Sequence, residues 1–159
     1  MDTPQGSAEQ RRHHAHLDAL RTATSHVLDA VELIHHWCVE TAFHIDRSTP
    51  ASEWLRFTAA LVSELRELGA AIEAELLNAR LRVLDGDETR VLFLCTDQGR
   101  LILTLAGLIE SSPGQPVREL ERRVQALARI EHVAQTAHSA ITRIDLLSKR
   151  WGLRQAAAQ

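Results

Sequence analysis

Between Leu17 and Ile45, Leu17, Leu20, Thr24, Val27, Val31, Ile34, Cys38, Thr41 and Ile45 follow one another at strictly alternating spacings of three and four. A strand would send these side chains alternately to both faces, whereas a helix gathers them into one a/d seam. Ala23, Leu28, Ala30, Trp37 and Ala42 flank the seam and widen it. A stripe that broad needs more than one neighbour, which favours a bundle over a two-stranded coiled coil. The spacing predicts a first helix from about Glu9 to Asp46.

Three more segments carry the same rhythm. Ser48-Thr49-Pro50 ends the first helix and opens the second: Thr49 suits an N-cap and Pro50 a first turn. The second helix reaches about Arg82, with Trp54, Thr58, Leu61, Leu65, Leu68, Ile72, Leu76 and Ala79 inward and Gly69 marking a close helix contact. After Asp85-Gly86-Asp87, the stretch 88–106 has two readings. As two short strands around Asp97-Gln98-Gly99 it would make a hairpin and an α+β fold. As a helix it places Val91, Leu94, Gln98, Leu101, Leu105 and Leu108 inward, with Cys95, Ile102 and Ile109 broadening the line. Neither half alternates apolar with polar, so the period favours helix. A turn at Ser112–Pro116 leads to a last helix from Val117 to Trp151, with Leu120, Val124, Leu127, Ile130, Ala134, Ala137, Ile141, Ile144 and Leu147 on one side and Gly152 as its stop.

Short connections force antiparallel neighbours, so the expected fold is an all-α, up-down-up-down four-helix bundle, a rod of about 40–50 Å. One domain covers residues 9–152, between a flexible N-terminus (1–8) and a flexible C-terminal tail (153–159).

The chain is 45% apolar and 25% charged, which excludes global disorder. Arg, Glu or Asp interrupts every apolar run before about 18 residues, so no membrane span is expected. Cys38 and Cys95 lie far apart among apolar neighbours, the usage of buried reduced thiols, and the expected location is cytoplasmic. The net charge of −3 gives no general drive toward nucleic acid. Its distribution is uneven. Residues 1–115 carry 10 basic and 17 acidic side chains; residues 116–159 carry 8 and 4. The simplest reading is that the basic last helix complements acidic neighbours within the bundle. Nucleic-acid binding would want aromatics among the arginines, and the chain has no Tyr.

Nine histidines invite a search for chemistry. His13 and His16 share one helix face and could bind Zn, Ni or Cu, although a third ligand must come from elsewhere; the bland reading is a solvated helix end. Glu32-Leu33-Ile34-His35 is one half of a di-iron motif, but no second copy exists and the register turns Glu32 outward. His36/Glu40 and Glu40/His44 read as surface i,i+4 pairs. Trp54 and Trp151 suit helix-end core caps better than a ligand pocket.

Arg21-Thr22-Ala23-Thr24-Ser25-His26 resembles the Arg-x(4–6)-His motif of HEPN ribonucleases, which are small helical bundles. The resemblance implies a phosphate clamp at Arg21 and an acid/base or orienting group at His26. With this many Arg and His, chance supplies about three such spacings, and two occur, the other being Arg11/His16. Asp97-Gln98-Gly99-Arg100-Leu101, with the leucines that follow, resembles the first ATP-site helix of sensor histidine kinases. That family's Mg²⁺-binding Asn would fall near Gly107 or Ser111, so nucleotide hydrolysis is not implied.

Apolar surplus points elsewhere. Leu92, Phe93, Leu103 and Phe57 lie off the main stripes and would need a partner surface. The expectation is a non-enzymatic interaction or regulatory module, a homodimer joined through the third helix. The alternatives are a His-based metal- or small-ligand-binding bundle and a HEPN-like ribonuclease.

Overall fold

The heptad spacing of the first segment is realised as one continuous helix, and the other three segments follow suit. The computed structural model describes residues 4–47, 50–80, 86–111 and 116–158, and among these only Pro50 and Ser111 lie outside helices. Helix α1 spans Pro4–Arg47, α2 Ala51–Arg80, α3 Gly86–Glu110 and α4 Pro116–Ala158. The fold is an all-α four-helix bundle. At 44 residues, α1 is about 66 Å long, beyond the expected rod, and it begins at Pro4, five residues before the expected start. Likewise α4 does not stop at Gly152 but continues to Ala158.

The hairpin alternative over 88–106 fails for a local reason. Gln98 is buried and its Nε2 donates to the Val133 carbonyl of α4 at 3.0 Å. Gly99 lies against α2, where an added Cβ would stand 3.0 Å from Ile72 Cγ2. The residues that look like a turn are thus the inward side of a helix. Gly69 marks the same close crossing of α2 and α3: a Cβ there would come within 2.5 Å of Leu103 Cδ2.

Pro50 starts α2 from just outside it, its carbonyl accepting the N–H groups of Glu53 and Trp54 at 3.1 Å each. The capping role read for Thr49 lies outside the described residues. So do the side chains of Ile45, Ala79 and Trp151.

Helix α1 packs on all three others, while the backbones of α2 and α4 stay apart on opposite corners and the two helices touch through the Trp54 and Glu119 side chains at one end. The α1 seam is buried as read, with Val31 half-buried. In α2 the reading also holds, with Val62 added and Leu68 half-buried. The last two helices are rotated from expectation. In α3 the innermost line is Val91, Cys95, Gln98, Ile102, Leu105 and Ile109, leaving Leu94, Leu101 and Leu108 at its edge. In α4 it is Ala126, Ile130, Val133, Ala137, Ala140, Ile144 and Leu147, of which Ile130, Ala137, Ile144 and Leu147 are as read, while Leu120 and Val124 face outward, Val124 with 63% exposure. Small alanines permit a close approach to α1, and the larger side chains turn away from it.

Between Thr89 and Glu110, α3 has a mean hydropathy of 1.4 over a window within its 22 residues, long and apolar enough to cross a membrane by length and composition. Charge does interrupt this stretch, as read from the sequence, but only twice within that window. Asp97 and Arg100 are exposed mid-helix, and a little under half of the window is buried within the bundle.

Both thiols are free and buried, as expected. Burial pushes the Cys38 thiol up from 9.0 to about 11, against a smaller opposing pull from the Arg123 guanidinium. Burial also raises Cys95, opposed by its hydrogen bond with Thr24 at 3.3 Å. In the native chain at pH 8, the thiolate fraction of Cys38 is therefore about a hundredfold below that of an ordinary thiol. Native-state thiol labelling at pH 8 should find both cysteines inert. Because the folded value lies above the unfolded one, Cys38 contributes stability below pH 9 that is lost as pH rises toward 11. Urea midpoints measured across that window should fall with pH.

Candidate functional site

At the end of the bundle where α1 stops and α2 and α4 begin, two side chains converge on one buried carboxylate. Glu119 is 1% exposed. It sits in the first turn of α4, where unpaired backbone N–H groups favour negative charge. Trp54 Nε1 donates to Glu119 Oε1 at 2.7 Å, and His44 Nε2 lies 3.7 Å from Oε2. The His44 ring stacks on Trp54 with centroids 4.3 Å apart and planes 4° from parallel. Trp37 and Phe57 flank Trp54 at 6.5 and 5.4 Å. One helix turn away, Arg123 Nε donates to the Cys38 carbonyl at 2.8 Å.

The period search missed Glu119, since an inward carboxylate scores as a solvent-facing residue. The available signal was indirect: Pro116 opens the helix, an acid follows in its first turn, and a buried indole N–H needs an acceptor. His44 was assigned to a surface pair with Glu40; it turns instead to Glu119.

The residues singled out for metal do not form a site within the described structure. His16 is 1% exposed, so the solvated helix end is corrected to a buried position beside Leu17. The side chain of His13 lies outside the described residues. Among the described residues no three His, Cys, Asp or Glu side chains come together in an arrangement that could hold a metal ion. Arg21 and His26, five residues apart, point about 140° from each other around α1. Arg21 is engaged across the α4 seam by Asp145 at 3.1 Å and Ser148 at 3.4 Å.

The four side chains read as apolar surplus separate into two kinds. Leu92 is buried, because α3 meets three helices and its covered arc is wide. Phe57 is half-buried against Trp54 and His36. Leu103 is half-buried over Gly69. Phe93 alone remains open, at 64% exposure. On the same flank, Leu77 of α2 is 60% exposed and lines a groove with Thr96, one turn from Phe93. Higher on α2, a groove of about 750 Å³ runs past the exposed Leu55 to the end of α3, where Arg66 pairs with Glu110.

Charge is arranged differently from expectation. The pairs that cross between helices among the described residues are Arg21–Asp145, His44–Glu119 and Arg66–Glu110. In both pairs involving α4, that helix supplies the acid, not the base. Its Arg118, Arg129, Arg143 and Lys149 are exposed and pair with no carboxylate among the described residues. Arg123 is spent within the bundle, on the Cys38 carbonyl, but these four cations are not.

The chain matches no protein-family model, no curated protein and no solved structure.

Removing the Glu119 carboxylate strands the buried Trp54 N–H. Glu119→Ala should cost about 1–3 kcal/mol, and Glu119→Gln, which keeps an acceptor oxygen, clearly less. Urea unfolding followed by tryptophan fluorescence measures both; equal losses would mean that the hydrogen bond is not what matters there.

Proposed function

We propose that this chain is a non-enzymatic helical interaction module with a regulatory role, acting in the cytoplasm through protein–protein contact and first of all as a homodimer. The observation that carries the reading is Phe93. A large aromatic with 64% exposure on the most apolar helix loses water-exposed surface only if something packs on it. Leu77 and Leu55 extend the same flank along α2, and the grooves beside them give a partner's side chains somewhere to sit. A symmetric dimer through the α2/α3 flank places Phe93 near the centre of such a contact, where aromatic anchors contribute most.

The reading is narrower than the one drawn from sequence. Leu92 and Phe57 find cover in their own chain, so the surface rests on Phe93, Leu77 and Leu55, with Leu103 at its edge. Static light scattering at micromolar concentration should give the mass of a dimer at high salt. Phe93→Glu should reduce it to a monomer under the same conditions, with helix content by circular dichroism unchanged. A parent chain that is monomeric at high salt, or a Phe93→Glu dimer, contradicts this face.

A further inference from the structure

We propose that the acidic groove between α1 and α2 receives the basic outward face of α4 from a second copy of this chain. The groove holds about 710 Å³. Asp29 and Glu32 rim it from α1, Glu64 and Glu67 from α2, and half-buried Leu33 and Leu68 lie between them. All four carboxylates are exposed, and none pairs with a cation among the described residues. Four like charges around an apolar floor repel one another, and a cationic helix carrying an apolar knob relieves the repulsion while covering the floor.

The chain itself carries that helix face. Leu146 of α4 is 60% exposed. Arg143 and Lys149 stand three residues to either side of it, on the same face, exposed and without a carboxylate partner among the described residues. Knob and flanking cations thus match floor and rim in kind. Within one molecule they do not meet: the groove lies between α1 and α2, while Leu146, Arg143 and Lys149 stand exposed on α4 and none of them lines it. Between molecules they can. The two surfaces differ, so the contact is head-to-tail and builds a ring or a chain. It is independent of the Phe93 flank.

The test is made in the Phe93→Glu background, which removes the symmetric contact from the readout. At about 20 mM salt, light scattering should give a mass above one chain. At about 1 M salt, where the screening length is about 3 Å, it should fall to the monomer. Glu64→Lys with Glu67→Lys, and separately Arg143→Glu with Lys149→Glu, should each abolish association at low salt. Mixing the two variants should restore it, since each then offers the other a matching surface. Circular dichroism checks each fold; if a reversal unfolds the chain, the corresponding pair of Gln substitutions should weaken association at least tenfold. Association of either reversed variant alone, or failure of the mixture to associate, overturns the proposal. So does a chain that stays monomeric at low salt yet binds a synthetic basic amphipathic helix, since the occupant is then another protein. Loss of the Phe93 dimer with survival of the charge-swap rescue separates this contact from the other.

Discussion

Burial of the α1 seam is the constraint that the rest of the bundle serves. Leu17, Leu20, Val27 and Ile34 have essentially no exposure, and neither does Trp37 beside them. Each such aliphatic side chain contributes about 1.5–3 kcal/mol on leaving water. The Arg21–Asp145 pair on the adjacent seam is about half exposed at both ends, and pairs of that kind contribute about 0–1 kcal/mol. The stripe therefore decides the assembly and the ion pairs decorate it. A seam too wide for one neighbour needs several, and α1 packs on every other helix while the backbones of α2 and α4 stay apart.

The shortness of α3 produces the most polar part of the interior. Its last residue, Glu110, meets Arg66 partway along α2, so the rings and hydrogen bonds around Glu119 come from α1, α2 and α4. An ionised carboxylate there costs much more to bury than it returns unless its oxygens are engaged. Trp54 donates to one oxygen, and His44, stacked on Trp54, lies 3.7 Å from the other. Turning Glu119 toward the edges of these rings fixes the rotation of α4 about its own axis. With Glu119 inward, Leu120 is necessarily turned to the flank, and Val124 lies one helical turn further along the same exposed side.

That rotation also explains where the sequence could be read and where it could not. The seams of α1 and α2 were legible because nearly every inward residue is apolar, so the period and the burial coincide. The inward side of α3 includes Gln98 and Gly99, residues that a pattern search takes for a turn. In α4 Ile130, Ala137, Ile144 and Leu147 are inward as read, but the line also includes Glu119, Ala126 and Ala140, while Leu120 and Val124 lie outside it. A search that ranks by hydrophobicity follows Leu120 and Val124 and turns the start of the helix the wrong way. His16 and His44 were hidden for a related reason: polar side chains count as surface until a partner on another helix is known. The apolar surplus was half legible, since Phe93 is open, but the cover over Leu92 depends on the angle at which α3 enters the bundle.

The distribution of charge has a topological meaning that no rotation alters. In this bundle α1 and α3 meet across the short diagonal, which places α2 and α4 on the long one. Glu64 and Glu67 on α2, and Arg143 and Lys149 on α4, have no ion-pair partner among the described residues. A surface meant only for solubility would intersperse the two signs, as happens where Arg66 of α2 reaches Glu110 of α3. Here Glu64 and Glu67 face a groove with an apolar floor, and Arg143 and Lys149 flank an exposed leucine. Opposite charges separated by the fold, each set around an apolar element of the complementary shape, are satisfied together only when a second molecule supplies the missing side.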